Sequence, residues 1–258
     1  MEIKGKVGVV TGGSSGIGRA TAQLLAKEGA KIVVADLDEA GGAETVKRIE
    51  SAGGHAVFVK ADVTRIEDAR RMLDTAVSKF GRLDILHNNA GIGVGAPGFP
   101  EAPPERWHLV IEIDLQAVIL GTGLAAPLMQ KHGGVIINTA SMAGLYPHRQ
   151  DAVYGAAKGG VVNFTHSLAF WEAERKIRVN CVCPGIVDTP LVRKGLEAAT
   201  KLGFLTKPWV PVKMIQPEEI ADAVASLVRD DSIFGCALEI RPTGRQIVDP
   251  RRAPGARK

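Results

Sequence analysis

Cysteine is scarce in this 258-residue chain, with three copies, Cys181, Cys183 and Cys236. The number is odd, and two of them stand two apart in "RVNCVCPG", where a strand would aim both at one face. Small buried hydrophobes in a reducing cytoplasm are expected, rather than a disulfide framework or a metal pair. No basic-then-apolar leader follows Met1, so no export address is read and the cytoplasm is the expected compartment. Charge bias is missing as well: Arg251, Arg252, Arg257 and Lys258 account for the whole formal net charge of +4. A neutral body argues against a nucleic-acid surface, and the basic stretch 251–258 reads as a disordered tail. No uninterrupted apolar run is long enough to span a bilayer. The longest, Leu109 to Met129, carries Glu112 and Asp114 and reads as a buried or interface helix. His55, His87, His108, His132, His148 and His166 show no HExxH spacing, and no GxSxG elbow occurs. Zinc-enzyme and hydrolase readings therefore lack support, and no metal site is expected.

What the chain does have is alternation. Short apolar, β-branched runs ("KVGVVTG", "KIVVAD", "AVFVKAD", "LDILHNNAG", "GVIINTAS", "RVNCVCPG", "CALEI") are the length of strands buried on both faces. Between them lie stretches of helix length, such as Ile17 to Glu28, Glu39 to Ala52 and Ile66 to Phe80. Repeated βαβ units with right-handed crossovers predict an α/β fold: one doubly wound parallel sheet of about seven strands in three α/β/α layers. No linker divides it, so residues 1–250 are expected to form a single domain ahead of the tail. Residues 91–104 and Thr189 to Pro217 lack strand periodicity and are expected to be loops or lids over a site.

The segment "VVTGGSSGIGRA" sets Gly12, Gly16 and Gly18 where the first strand turns into the first helix. Glycine there permits a tight turn and brings backbone N–H groups and a helix N-terminus against a pyrophosphate. Asp36 closes the second strand eighteen positions after Gly18, where a carboxylate binds ribose hydroxyls and repels a 2′-phosphate. Neither Ser15 nor Leu37 supplies an arginine to reverse that preference, so NAD is the expected cofactor. Tyr154 and Lys158 in "AVYGAAKGG" stand one helical turn apart with only Gly155, Ala156 and Ala157 between them. A pair so placed reads either as an amphipathic tyrosine and a snorkelling lysine on a surface helix, or as an ammonium that favours phenolate for acid/base work.

Taken in order, TGxxxGxG at Thr11 to Gly18, Asp62-Val63, "NNAG" at Asn88 to Gly91, Ser141, YxxxK at Tyr154 and Lys158, and "PGIVDT" at Pro184 to Thr189 resemble the short-chain dehydrogenase/reductase family. The likeness runs from about residue 5 to 240 and implies a Rossmann fold and oxidation of a secondary alcohol, or reduction of a ketone, by hydride transfer. It implies a cofactor cleft formed by Gly12, Ser14, Ser15, Gly16, Ile17, Gly18, Asp36, Leu37, Asp62, Val63, Asn89, Ala90, Gly91, Tyr154, Lys158, Pro184, Gly185, Val187 and Thr189. Within it, Asp62 and Val63 would flank adenine, while Val187 and Thr189 would hold the nicotinamide carboxamide. Tyr154 would exchange the substrate proton, Lys158 would grip the nicotinamide ribose, and Ser141 would hydrogen-bond the substrate oxygen. Where the family usually has an asparagine that orders a water passing protons to the lysine, this chain has Asp114, which can also accept from that water and counts among the catalytic candidates. That aspartate is expected either to raise the Lys158 pKa and weaken its pull on Tyr154, or to stand as a replacement without effect.

The stretches "INTASMAGLYPHRQDAVYGAAKGGVVNFT" and "DDSIFGCALEIRPTG" resemble the hydroxyprostaglandin-dehydrogenase-like branch, which implies a sizeable apolar substrate such as a lipid alcohol or steroid. Phe99, Trp107, Tyr146, Leu191, Phe204 and Trp209 are candidates to line an apolar pocket or to anchor loops. His148 and Gln150 sit in a loop that reaches substrate or solvent. The helices Leu109 to Met129 and Val153 to Phe170 resemble the family's oligomer-forming pair, so a homodimer or homotetramer is expected. Membrane and nucleic acid are not expected as partners, although the basic tail keeps a distant nucleic-acid reading open. The reading from a different class is a non-catalytic NAD-binding sensor or scaffold.

Overall fold

The strand β1 (Val7–Thr11) is buried along its whole length, as a strand covered on both faces must be. A computed structural model describes residues 1–93, 95–149, 151–203 and 213–249, so the basic tail, Gln150, Phe204 and Trp209 lie outside the described residues. With β2 (Lys31–Asp36), β3 (His55–Lys60), β4 (Ile85–Asn88), β5 (Gly134–Thr139), β6 (Ile177–Pro184) and β7 (Ala237–Arg241), β1 forms a parallel sheet in the order 3-2-1-4-5-6-7. An eighth strand, β8 (Gly244–Val248), joins the β7 edge antiparallel, with Arg241 opposite Gly244 across a two-residue turn. It was not legible as a strand because it is an exposed edge, where Arg245 and Gln246 need not be apolar.

Helices α1 (Gly16–Lys27), α2 (Glu39–Ser51) and α9 (Pro217–Arg229) share one core cluster that includes Ala22, Leu25, Ile32, Ile49, Val224 and Leu227. On the other face α3 (Ile66–Phe80) and α5 (Ala117–Met129) contribute Met72, Leu73, Ala125 and Met129 to a second cluster. Burial of each such leucine, isoleucine or methionine contributes roughly 2 kcal/mol. The three expected helix spans match α1, α2 and α3 within a residue or so.

Two expectations need correction. The stretch from Thr189 to Pro217 is not all loop: α8 (Pro190–Lys201) starts at its beginning. The hydroxyl of Thr189 accepts the Val192 N–H at 3.3 Å, and Pro190 occupies the first helical position, where a missing N–H costs nothing. No residue of α8 is buried, so its amphipathic pattern is not a core pattern. The run Leu109 to Met129 is likewise not one regular helix: α4 (Pro104–Ile111) passes through a π turn at Glu112–Gln116 into α5. Widened turns of this kind cluster at functional sites.

The sheet order reverses between β1 and β4, so the connections leaving those two strands pass to opposite faces. Their carboxyl ends therefore diverge and open a crevice.

Candidate active site

The crevice holds a cleft of about 450 Å³ lined by segments that are far apart in sequence. At its floor the β1 and β4 ends are tied together: the Thr11 hydroxyl accepts the N–H groups of Asn89 and Ala90 at 2.9 and 3.0 Å. The Asn89 amide donates back to the Thr11 carbonyl at 2.9 Å. Gly12 turns with φ of +64°, which a side chain rarely adopts, and Gly18 packs so closely that an added Cβ would lie 2.1 Å from the Gly12 oxygen. Ser15 precedes α1 and makes no side-chain cap, so the first-turn N–H groups of α1 face the cleft uncapped.

Asp36 ends β2 with one carboxylate oxygen accepting the Ser14 N–H and the other the Asp38 N–H, both at 3.0 Å. Each oxygen keeps a lone pair for the cleft. Arg19 is turned away from it, donating to the carbonyl of Ser14 and to the hydroxyl of Thr45. Leu37, next to Asp36, is exposed and lines the cleft mouth.

Of the expected cofactor residues, Gly12, Ser15, Gly16, Ile17, Asp36, Leu37, Asp62, Val63, Asn89, Ala90, Gly91, Pro184, Gly185, Val187 and Thr189 all line the cleft. Ser14 and Gly18 do not. Ser14 is buried with its hydroxyl on the Asp38 carbonyl, and Gly18 serves close packing, so both shape the turn instead of facing the cleft.

The helix α6 (Ala152–Ser167) is capped by Asp151, whose carboxylate accepts the Tyr154 N–H at 3.0 Å. Its first turns carry Tyr154 and Lys158 on one face, with the Lys158 Nζ 5.6 Å from the tyrosine ring centroid. Ser141, beyond the end of β5, neighbours the Tyr154 phenol and opposes the rise in its pKa. It also accepts the Ala143 N–H at 3.1 Å, which fixes its backbone turn. All three line the cleft, as does Asp114 from the π turn.

Lys158 donates to the Thr139 carbonyl at 2.9 Å, and its Nζ lies 3.5 Å from Asp114 Oδ2. Asp114 is fully buried, with Oδ1 accepting the Ile92 N–H at 2.7 Å. Burial alone disfavours the Lys158 ammonium, yet Asp114 and Tyr154 outweigh it and hold the group above its usual value. Burial raises the Asp114 carboxyl against the opposing pull of Lys158 and the Ile92 N–H. The Tyr154 phenol is also raised: burial leads, Lys158 opposes it, and Asp114 adds to it. Lys158 thus draws Tyr154 toward phenolate as expected, but in the protein alone desolvation is the larger effect.

Some lining residues escaped the sequence reading: Ile92, Ile113, Thr139, Ala140, Val192 and Lys194. Ile92, Ile113 and Ala140 had a signal, standing beside Gly91, Asp114 and Ser141, which were already singled out. Val192 and Lys194 had none while α8 was read as a loop. Of the described aromatic and aliphatic candidates, Leu191 lines the cleft. Phe99 stacks at 5.0 Å on Trp107, which packs with Ile92 and Tyr154 behind the wall. Tyr146 points elsewhere, its hydroxyl 3.0 Å from Glu239 and its ring under Arg241. His148 stands edge-on to the Tyr154 ring at 6.3 Å. His87 lies beneath the site, buried and neutral with its pKa pushed down to about 3 by desolvation, and bonds the Thr139 hydroxyl at 2.9 Å.

A glycine-turned cleft at a sheet reversal, with a serine, a tyrosine and a lysine at its inner end, defines a nucleotide-dependent oxidoreductase of the doubly wound α/β class. Residues 6–199 match the family described as short chain dehydrogenase, and the chain belongs to it, as an alcohol dehydrogenase acting on CH–OH groups. It is 40% identical over 230 residues to cis-4-hydroxycyclohexanecarboxylate dehydrogenase of Sinomonas cyclohexanicum, covering 89% of this chain and 91% of that one. It is 34% identical over 255 residues to the NAD(+)-linked 15-hydroxyprostaglandin dehydrogenase of Bos taurus, covering 93% and 92%. The crystal structure of levodione reductase superimposes with a TM-score of 0.86 at 29% identity, covering 92% and 96%.

Proposed function

We propose that this chain oxidises a secondary alcohol on an apolar body, alicyclic or lipid, with NAD, using Tyr154 as general base and as general acid in the reverse direction. The observation that carries the reading is the convergence of Ser141, Tyr154 and Lys158 at the inner end of a cleft whose outer end presents Asp36. The cleft suits a dinucleotide: the uncapped N–H groups of α1 meet a pyrophosphate, and Asp36 meets ribose hydroxyls. When bound, NAD accepts the hydride. Ser141 holds the substrate oxygen, Tyr154 takes its proton, and Lys158 positions the nicotinamide ribose while countering charge on the phenol. Ile92, Ile113, Leu191 and Val192 supply an apolar wall for the substrate. The two relatives differ in substrate, one named for a cyclic hydroxy acid and one for a prostaglandin.

The choice of NAD over NADP rests on Asp36, with Arg19 engaged elsewhere. Asp36→Asn keeps an acceptor for a backbone N–H but removes the charge. Titration of both cofactors should then show the preference for NAD over NADP reduced about tenfold or more; an unchanged ratio would overturn the assignment.

Because oxidation needs Tyr154 deprotonated and burial raises its pKa, the rate is expected to climb with pH on the alkaline side. Asp114→Asn removes a negative charge that raises Tyr154, so the rising limb should move to lower pH. Profiles of kcat/KM at saturating NAD check both, and a shift toward higher pH would contradict the sign.

A homodimer or homotetramer is supported by Leu109 and Ile119 on the α4–α5 helix and Phe170 after α6, which stay exposed on the single chain. We assign the chain to the cytoplasm, supported by buried Cys181, Cys183 and Cys236, none of which is in a disulfide.

A further inference from the structure

We propose that the buried carboxylate of Asp114 biases this chain toward the oxidised over the reduced nicotinamide cofactor, by cancelling the Lys158 ammonium in the cleft wall. This rests on the cofactor reading above but concerns binding in the ground state, not the proton transfer.

The two charged groups meet at one bare position of the wall. A Cβ added to Gly91 would lie 3.3 Å from Asp114 Oδ1 and 3.4 Å from Lys158 Nζ. Neither group is free to swing away. Asp114 Oδ1 is held by the Ile92 N–H, and Lys158 Nζ by the Thr139 carbonyl. Asp114 Oδ2 has no hydrogen-bond partner among the described residues and faces Nζ at 3.5 Å. The π turn swings this residue inward, so that it is the one buried side chain of Glu112–Gln116. Tyr154 from α6, Asp151 at the helix cap and Cys183 from β6 are the other ionisable groups acting on the pair.

The nicotinamide ring carries a positive charge only when oxidised. A lone buried ammonium would repel that form and leave the reduced form nearly indifferent. With Asp114 beside it the pair is neutral overall, and the repulsion is removed. An amide at position 114 would keep the Ile92 contact but leave Lys158 uncompensated. In a partly buried site of effective dielectric about 20, one unit charge within about 10 Å shifts an equilibrium by about tenfold.

The test is to titrate NADH by fluorescence and NAD by calorimetry into the wild-type chain, Asp114→Asn and Asp114→Ser, with a melting curve for each. The expected result is a ratio Kd(NAD)/Kd(NADH) that rises about tenfold in both variants. Two results overturn the inference while sparing the cofactor reading: both affinities changing by one common factor, as a structural role would give, or a ratio that moves in one variant alone. Failure of the wild-type chain to bind either cofactor would instead remove the cofactor reading, and this inference with it.

Discussion

Tyr154→Phe is expected to lower turnover about 1,000-fold while leaving cofactor affinity unchanged. The substitution removes one oxygen. The ring keeps its place beside Lys158 at 5.6 Å and His148 at 6.3 Å, and the Asp151 cap on the Tyr154 N–H does not involve the phenol. What disappears is the phenol hydroxyl that lines the cleft beside Ser141 and Lys158. Without it the hydroxyl proton loses the phenol assigned to take it as hydride leaves. The measurement is the initial rate at the NADH absorbance band with pooled secondary alcohols, alongside cofactor titration. Retained activity would refute the assigned role. Cofactor binding with no wild-type rate on any pool would favour the sensor reading instead.

Gly18→Ala is expected to weaken cofactor binding about 100-fold and to cost about 3 kcal/mol of stability. The added Cβ would lie 2.1 Å from the Gly12 oxygen and 2.7 Å from the Asn89 amide nitrogen. The first of these is backbone and cannot rotate aside. The turn must therefore open, which displaces the uncapped N–H groups of α1 and strains the bonds between Asn89 and Thr11. A loss of that size lowers Tm by about 6 °C or more in a chain of this length. Thermal melting and NADH titration of the purified variant would check the two effects together. Near-native affinity would mean that the turn tolerates the methyl group and that Gly18 is not a packing constraint.

The cofactor half of the site was the more legible. Its signals are local: glycines at fixed offsets between a strand and a helix, then an acidic residue at the end of the next strand. Tyr154 and Lys158 were legible for the same reason, since the helical repeat alone puts positions four apart on one face. The residues that escaped are those placed by long-range packing. Lys194 and Val192 depend on α8 folding over the cleft, and that helix, having no buried face, carries no core pattern. Tyr146 shares its neighbourhood in sequence with Ser141, yet its hydroxyl goes to Glu239 on β7. β8 was missed because an edge strand open to solvent needs no alternation.

The seven parallel strands, the helices α1 to α3, the glycine turn, the acidic residue at Asp36 and the pairing of Tyr154 with Lys158 were determined by the sequence alone, because each is set by contacts within a few residues. The resemblance already set Asp114 near Lys158; only the tertiary structure decided that the pair is fully buried and that burial outweighs the lysine's pull on Tyr154. The reason is that desolvation and Coulomb interaction depend on what the sheet order brings together. The π turn, the β4 loop and α6 are separate stretches of chain that become neighbours only once the strands are in register.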